Sequence, residues 1–185
     1  DTKDFKELES IDSYTFDKAE KKILIATNSN QIFRHSFTAT YFVFDIASKK
    51  LSKFTEKAIQ EPTFSPDGNK VAYAFENNLY VFDFGSNKET QITTDGKKNA
   101  IINGITDWVY EEEFAFVRAF DWNANGTKIA FIRFDETNVP EFSMDLYNKG
   151  LYPTQSVFKY PKAGEKNAEV SLHIYDVTAS KTQKI

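Results

Sequence analysis

One turn-and-strand pattern occurs three times along the chain, and it constrains the fold more than any other feature. In each copy an aromatic residue lies six positions before a lysine that opens an apolar run: FDKAEKKILIA at 16–26, FSPDGNKVAYA at 64–74 and WNANGTKIAFI at 122–132. Two copies place a glycine after Asp or Asn, as primed hairpin turns require. The pattern predicts a tight turn that leads into a strand at each place.

A second pattern follows each of these strands and completes a repeated unit. An aromatic residue precedes an aspartate, a polar turn follows, and a last strand resumes: VFDIASKKL at 43–51, VFDFGSNKETQI at 81–92 and IYDVTASKTQKI at 174–185. The unit is therefore strand, turn, strand, turn, strand. Its aligned lysines, at positions 22, 70 and 128, are separated by 48 and 58 residues.

Repeats of about 40–50 residues built from short antiparallel strands are typical of β-propeller blades. We predict an all-β fold, a partial β-propeller with roughly three four-stranded antiparallel blades of a larger ring. A β-sandwich is the alternative, but it gives no reason to repeat one turn pattern at blade spacing. The whole chain is assigned to one propeller domain, 1–185, with blade-like units at about 10–52, 60–95 and 115–185.

Two segments interrupt the repeats. The first contains DWVYEEEF at 107–114, which predicts a short helical insert in an otherwise β chain. The second is longer and carries Pro140, Pro153 and Pro161, so it predicts an extended arm over about 135–170 rather than a tight hairpin. Because functional residues often lie on loops that a rigid scaffold holds, both segments are candidate functional regions.

The composition argues against several kinds of chemistry. With 23 Lys and Arg against 27 Asp and Glu, the net charge of −4 does not favour nucleic acid as a partner. The absence of Cys and the presence of only two His, His35 and His173, argue against a metal site or a Cys nucleophile. His173 occupies an alternating strand position and is interpreted as structural. No G-x-S-x-G motif or phosphate loop occurs, so we expect no cofactor, no metal and no catalytic residue in this chain.

The three adjacent glutamates at 111–113 have two interpretations. In the structural one, Asp107 caps a helical turn and the following carboxylates lie near the positive end of its dipole. In the functional one, a pair of inward carboxylates binds a primary ammonium group, whose three donors can satisfy both. Arg34 is equally ambiguous, since it could form a cross-strand ion pair or face the glutamates and bind a carbonyl or carboxylate.

Three segments together resemble the dipeptidyl peptidase IV family, the propeller-bearing branch of the prolyl oligopeptidase serine peptidases. They are NGITDWVYEEEF at 103–114, RHSFTATY at 34–41 and YPKAG at 160–164, of which DWVYEEEF is the most specific. The resemblance runs in the same order along nearly the whole chain, from SIDSYTFD at 10–17 to IYDV at 174–177.

The resemblance implies an eight-bladed propeller over an α/β-hydrolase domain that carries a Ser-Asp-His triad and removes Xaa-Pro or Xaa-Ala dipeptides from peptide N-termini. It implies that Glu112 and Glu113 bind the substrate's α-ammonium group and that Arg34 contacts the carbonyl of its first residue. This chain lacks the hydrolase domain, so we expect it to anchor substrate and gate access but to be inactive alone. The alternative is a non-catalytic propeller that binds peptides or proteins.

The resemblance also implies partners. Besides the peptide N-terminus and the hydrolase domain of the same longer chain, the arm at 147–165 is expected to form a homodimer contact. Animal members carry propeller disulfides, whereas this chain has no Cys, which indicates a bacterial-type member. The longer protein is therefore expected to be exported, in the periplasm or associated with the cell envelope.

Overall fold

The computed structural model describes residues 5, 8, 10–147 and 150–185. The first repeat forms a four-stranded antiparallel sheet whose strands lie in sequence order. Its strands are β1 (Ser13–Phe16), β2 (Lys22–Gln31), β3 (Phe37–Asp45) and β4 (Lys50–Lys53). The second repeat forms an equivalent sheet of β5 (Gln60–Phe64), β6 (Lys70–Phe75), β7 (Asn78–Asp83) and β8 (Lys88–Gln91).

The third sheet contains a fifth strand that the repeat did not predict. Its main path is β10 (Phe120–Trp122), β11 (Lys128–Asp135), β14 (Glu169–Asp176) and β15 (Lys181–Lys184). The short strand β9 (Ile101–Asn103) also pairs with β11, opposite residues 133–135. It finds room there because β10 pairs only with residues 129–131 of the longer β11.

The two inserts both have regular structure. The helix α1 (Trp108–Phe114) lies in the first, and the second forms a two-stranded ribbon of β12 (Glu141–Leu146) and β13 (Thr154–Lys159). The predicted extended arm is thus a paired ribbon apart from the blade sheet, and its residues 148 and 149 lie outside the described residues. The all-β class and the short helical insert are confirmed, while the domain and unit boundaries stay predictions.

The two repeated sequence patterns lie on adjacent strands of each sheet and pair in register. In every blade the aligned lysine is the register partner of the aspartate that follows the aromatic residue: Lys22 and Asp45, Lys70 and Asp83, Lys128 and Asp176. The residue after each turn-opening aromatic closes the turn, because its side chain accepts the N–H of that lysine: Asp17 at 2.7 Å, Ser65 at 2.9 Å and Asn123 at 2.9 Å. Three different side chains therefore perform one local task.

Two apolar cores lie between successive sheets. The middle sheet contributes to both, since side chains alternate across a strand. In β6, Val71 and Tyr73 pack towards the first sheet, whereas Ala72 and Ala74 pack towards the third. The abundant aromatic residues fill these spaces, among them the fully buried Tyr73, Phe131 and Phe134. The described part of the chain contains no helix with the length and apolar character of a membrane span.

Candidate functional site

The helix α1 is held at both ends by local backbone chemistry. The Oδ1 atom of Asp107 accepts the N–H of Tyr110 at 2.9 Å, and Ala115 ends the helix in the left-handed conformation with φ 56°. The Asp107 side chain is buried, and this burial raises the pKa of its carboxyl group. The structure confirms Asp107 as the helix cap, so a structural role explains this residue.

The turn between β2 and β3, residues 32–36, is here called the Arg34 loop. Hydrogen bonds inside the loop determine its shape: the N–H of Ile32 donates to the carbonyl of Ser36 at 2.8 Å, and the amide of Gln31 donates to the carbonyl of Arg34 at 3.0 Å. The N–H of Phe33 also donates to the Ser36 hydroxyl at 3.3 Å. These contacts orient Arg34 outward from the end of the first sheet.

The structure brings Arg34 and Glu112 together, although 78 positions separate them in the sequence. The Nε atom of Arg34 lies 3.2 Å from Oε1 and 3.0 Å from Oε2 of Glu112. The Arg34 side chain is 71% exposed and that of Glu112 16% exposed, whereas Glu113 lies exposed on the next helical position. An ion pair this open to water contributes at most about 1 kcal/mol, so either partner can exchange it for a ligand.

Glu111 has a different environment from its two neighbours. It is 1% exposed, and its Oε1 atom accepts the backbone N–H groups of His35 at 2.7 Å and Ser36 at 2.9 Å. The residue pattern alone did not separate Glu111 from the run of three, although the family resemblance assigned substrate binding only to Glu112 and Glu113. One signal was present, because Glu111 follows the cap Asp107 by four positions and therefore lies on the same face of α1.

Aromatic contacts join the arm to this region. The ring of Trp108, at the start of α1, lies 4.4 Å from that of Tyr160 and 6.5 Å from that of Phe158. Phe158 also packs 5.6 Å from Phe33 of the Arg34 loop. A cavity of about 580 Å³ adjoins these rings, but Arg34 and Glu112 lie outside its lining. The arm thus supports the base of the site.

Glu136 is a buried carboxyl group that the sequence did not single out. It follows β11, is 6% exposed and lines the cavity beside Asp107 and Lys159. Burial, helped by the charge of Asp107 and opposed by that of Lys159, raises the pKa of Glu136 to about 7. The group therefore keeps its proton to a higher pH in the folded state than in the unfolded chain.

We expect Glu136→Gln to stabilise the protein more at high pH than at low pH. Between about pH 4.5 and pH 7 the unfolded chain releases the Glu136 proton while the folded chain keeps it, so folded wild type loses stability as pH rises through this window. Glutamine does not titrate, and the gain in Tm over wild type should therefore be larger at about pH 8 than at about pH 5. An equal gain at both pH values would contradict this, and Glu20→Gln in the exposed β1–β2 turn is the matched control.

His173 has the contacts of a structural residue. The ring of His173 stacks 5.3 Å from that of Phe131, and one ring nitrogen lies 2.9 Å from the Ser171 hydroxyl. Burial, together with the charge of Arg133, lowers the pKa of His173. These contacts agree with a structural role. Over residues 5, 8, 10–147 and 150–185, no group of three or more His, Cys, Asp or Glu is placed to hold a metal ion.

Comparison with known proteins identifies the family. The family profile described as "Dipeptidyl peptidase IV (DPP IV) N-terminal region" matches residues 17–185. The chain is 36% identical to prolyl endopeptidase FAP of Homo sapiens over 159 residues, which is 84% of this chain and 21% of that protein. It is 38% identical to dipeptidyl peptidase 4 of Felis catus over 172 residues, or 89% of this chain and 22% of that protein.

A solved structure extends the comparison to the fold. The crystal structure of Porphyromonas gingivalis dipeptidyl peptidase 4 matches with a TM-score of 0.91 and 41% identity, over 95% of this chain and 25% of that one. This match confirms the prediction of a partial propeller. The chain spans about a fifth of the length of the curated relatives named above. With the profile match over residues 17–185, these similarities show that the chain belongs to the dipeptidyl peptidase IV family, in its N-terminal region.

Proposed function

We propose that this chain is the propeller portion of a dipeptidyl peptidase and that it anchors the N-terminal ammonium group of the substrate and gates access to the catalytic domain. The observation that carries the proposal is the open pair of Arg34 and Glu112, with Glu113 beside it on α1. One cation and two carboxylates at one exposed edge match both ends of a peptide's first residue. The similarity to dipeptidyl peptidases supports the reaction class.

The chemistry of a peptide N-terminus fits these groups. An α-amino group has a pKa near ~8 and is largely cationic at neutral pH, and two carboxylates nearby keep it so. Glu112 and Glu113 would accept its N–H donors, while the terminal nitrogens of Arg34 would donate to the first carbonyl. Arg34 must release part of its contact with Glu112, which an exposed pair permits at small cost.

Anchoring the ammonium group would also determine the length of the product. Two extended residues span about 7 Å, so a fixed N-terminus brings the second peptide bond, and no later one, to a nucleophile at that distance. The nucleophile would come from the α/β-hydrolase domain of the longer protein. The propeller would thus contribute to catalysis through positioning.

The test is dipeptide release from an Xaa-Pro chromogenic substrate by the longer protein that carries this chain. We expect cleavage of the free-amine substrate and a decrease in kcat/KM of about 100-fold or more when the amine is acetylated, because the acetylated nitrogen carries no charge. Binding of free-amine peptides without any dipeptide release would indicate a non-catalytic binding propeller instead. The 185-residue chain alone is expected to release nothing.

We also propose that the arm at 147–165 forms a homodimer contact. The support is a group of apolar side chains that the ribbon and its tip present to solvent: Met144, Leu146, Tyr147, Leu151, Tyr152 and Val157. Leu151 and Tyr152 are 93% and 87% exposed, which is unusual for such large apolar residues. Large apolar residues that are exposed and adjacent in the chain, as Leu151 and Tyr152 are, are typical of an interaction site.

Charged residues at the arm tip should prevent this contact. We expect the longer protein to be a dimer by light scattering and the Leu151→Asp, Tyr152→Asp double variant to be a monomer, because a dimer would bury two charges without partners. Lys88→Asp, on an exposed outer strand, is the control and should leave the mass unchanged. A double variant that remains dimeric would exclude the arm as the contact.

A further inference from the structure

We propose that Glu111 is a positioning residue that fixes the Arg34 loop against α1, an inference that rests on the proposed function. The Oε1 atom of Glu111 accepts two successive backbone N–H groups, from His35 at 2.7 Å and Ser36 at 2.9 Å. Consecutive N–H groups that converge on one oxygen form an anion-binding concavity, commonly called a nest. Here the anion is a side chain of the protein itself.

The burial of this contact makes it strong. Glu111 is 1% exposed and Ser36 is 4% exposed, so water does not compete for the Ser36 donor, whereas the bond from His35 is partly buried. Hydrogen bonds to a carboxylate are roughly twice as strong as those between neutral groups. Loss of the acceptor would also leave the buried N–H of Ser36 without a partner, which is more costly than the bond itself.

The contact controls where the loop lies rather than what shape it has. Its shape follows from bonds within the turn, such as that from Ile32 to Ser36. In the described part of the chain, two polar contacts join the loop to α1: the exposed pair of Arg34 with Glu112 and the buried contact of Glu111. The exposed pair must open when a peptide binds, so the buried contact is the one that can hold the loop during binding.

Glu111 is placed to affect the positions of both binding groups. It precedes Glu112 by one residue on α1, and its partner His35 follows Arg34 by one residue in the loop. The contact therefore sets the spacing between the group that would bind the ammonium and the group that would bind the first carbonyl. A displacement of about 1 Å in a positioning group can lower a rate by about 100-fold.

The experiment measures kcat/KM of the longer protein for a free-amine Xaa-Pro substrate. We expect Glu111→Met, which keeps the length but removes the acceptor, to lower kcat/KM by about 10–100-fold. Glu111→Gln keeps a carbonyl oxygen at the same position and should restore most of the activity. Because Glu111 acts through Arg34, adding Glu111→Met to Arg34→Ala should change kcat/KM by less than about 3-fold further.

Three outcomes would overturn the proposal. Wild-type kcat/KM in Glu111→Met would show that the contact is not needed. An equal loss in Glu111→Gln and Glu111→Met would mean that the charge acts directly on the substrate. A full additional loss in the Arg34→Ala background would show that Glu111 does not act through Arg34.

Two further variants keep the outcome interpretable. If Glu111→Met does not fold, Glu111→Asp carries the test, because it keeps the charge but is one methylene too short for the nest and should lose activity like the methionine variant. Glu20→Gln, in the turn at the opposite end of β2, is the control and should match wild type. If Arg34→Ala itself leaves kcat/KM unchanged, the proposed function fails; if it lowers kcat/KM while the Glu111 variants do not, only this inference fails.

Discussion

Replacing both Glu112 and Glu113 by glutamine is expected to lower kcat/KM of the longer protein for a free-amine Xaa-Pro substrate by about 10²–10⁴-fold. A bound peptide beneath the hydrolase domain would shield these carboxylates from water, and breaking a charge pair shielded in this way by removing one side costs about 3–5 kcal/mol. Glutamine retains the size and one acceptor oxygen, so the change isolates the charge. The measurement is steady-state dipeptide release near neutral pH.

The controls separate substrate binding from folding. Glu113 is exposed and Glu112 partly so, and the double variant should therefore change Tm little. Against the acetylated substrate the same variant should show almost no further loss, because that substrate has no ammonium group to anchor. An unchanged kcat/KM for the free-amine substrate would refute the role of both glutamates.

Phe134→Ala is expected to lower the free energy of unfolding by about 3–5 kcal/mol. Phe134 is fully buried in the core between the second and third sheets, and its ring lies 5.0 Å from that of Tyr110 in α1. Its removal leaves a cavity that the surrounding strands fill only in part. Denaturant unfolding of the propeller, followed by circular dichroism, measures the loss.

A matched change on the surface of α1 provides the comparison. Phe114→Ala removes the same group from a side chain that is 62% exposed, and it should cost less than about 1 kcal/mol. Similar losses for the two variants would mean that burial does not determine the effect of Phe134. Because α1 packs on Phe134 through Tyr110, the Phe134 variant should also weaken substrate binding.

The fold was predictable where local chemistry repeats. The turn before each aligned lysine is closed by a side chain five residues earlier in the sequence, and the lysine pairs in register with the aspartate after the aromatic residue. Such contacts span few residues, so the residues that make them recur at the same spacing in the sequence of each repeat. The strand β9 and the ribbon of β12 and β13 have no such repeated sequence pattern. Their formation depends on which part of β11 or of the arm is left without a partner.

The site was less accessible to sequence reasoning. Residues alone left Arg34 and the glutamates open to structural and functional interpretations, and only the family resemblance chose between them. The three adjacent glutamates have identical side chains. How far each one is buried follows from where the Arg34 loop lies. Their different environments are tertiary in origin. The same holds for Glu136, whose raised pKa arises from burial beside Asp107, 29 positions away.

The alternation of β6 side chains between the two cores affects which parts of the protein can unfold locally. Successive residues of this strand belong to different cores, so no neighbouring sheet can separate from the middle one without exposing one set of its side chains. Opening of β6 itself would disrupt both cores at once. Local fluctuations with low free energy are therefore confined to the outer strands, the arm and the turns. The Arg34 loop lies at such a margin, so the buried contact with Glu111, and not the strand behind the loop, is what holds it against α1.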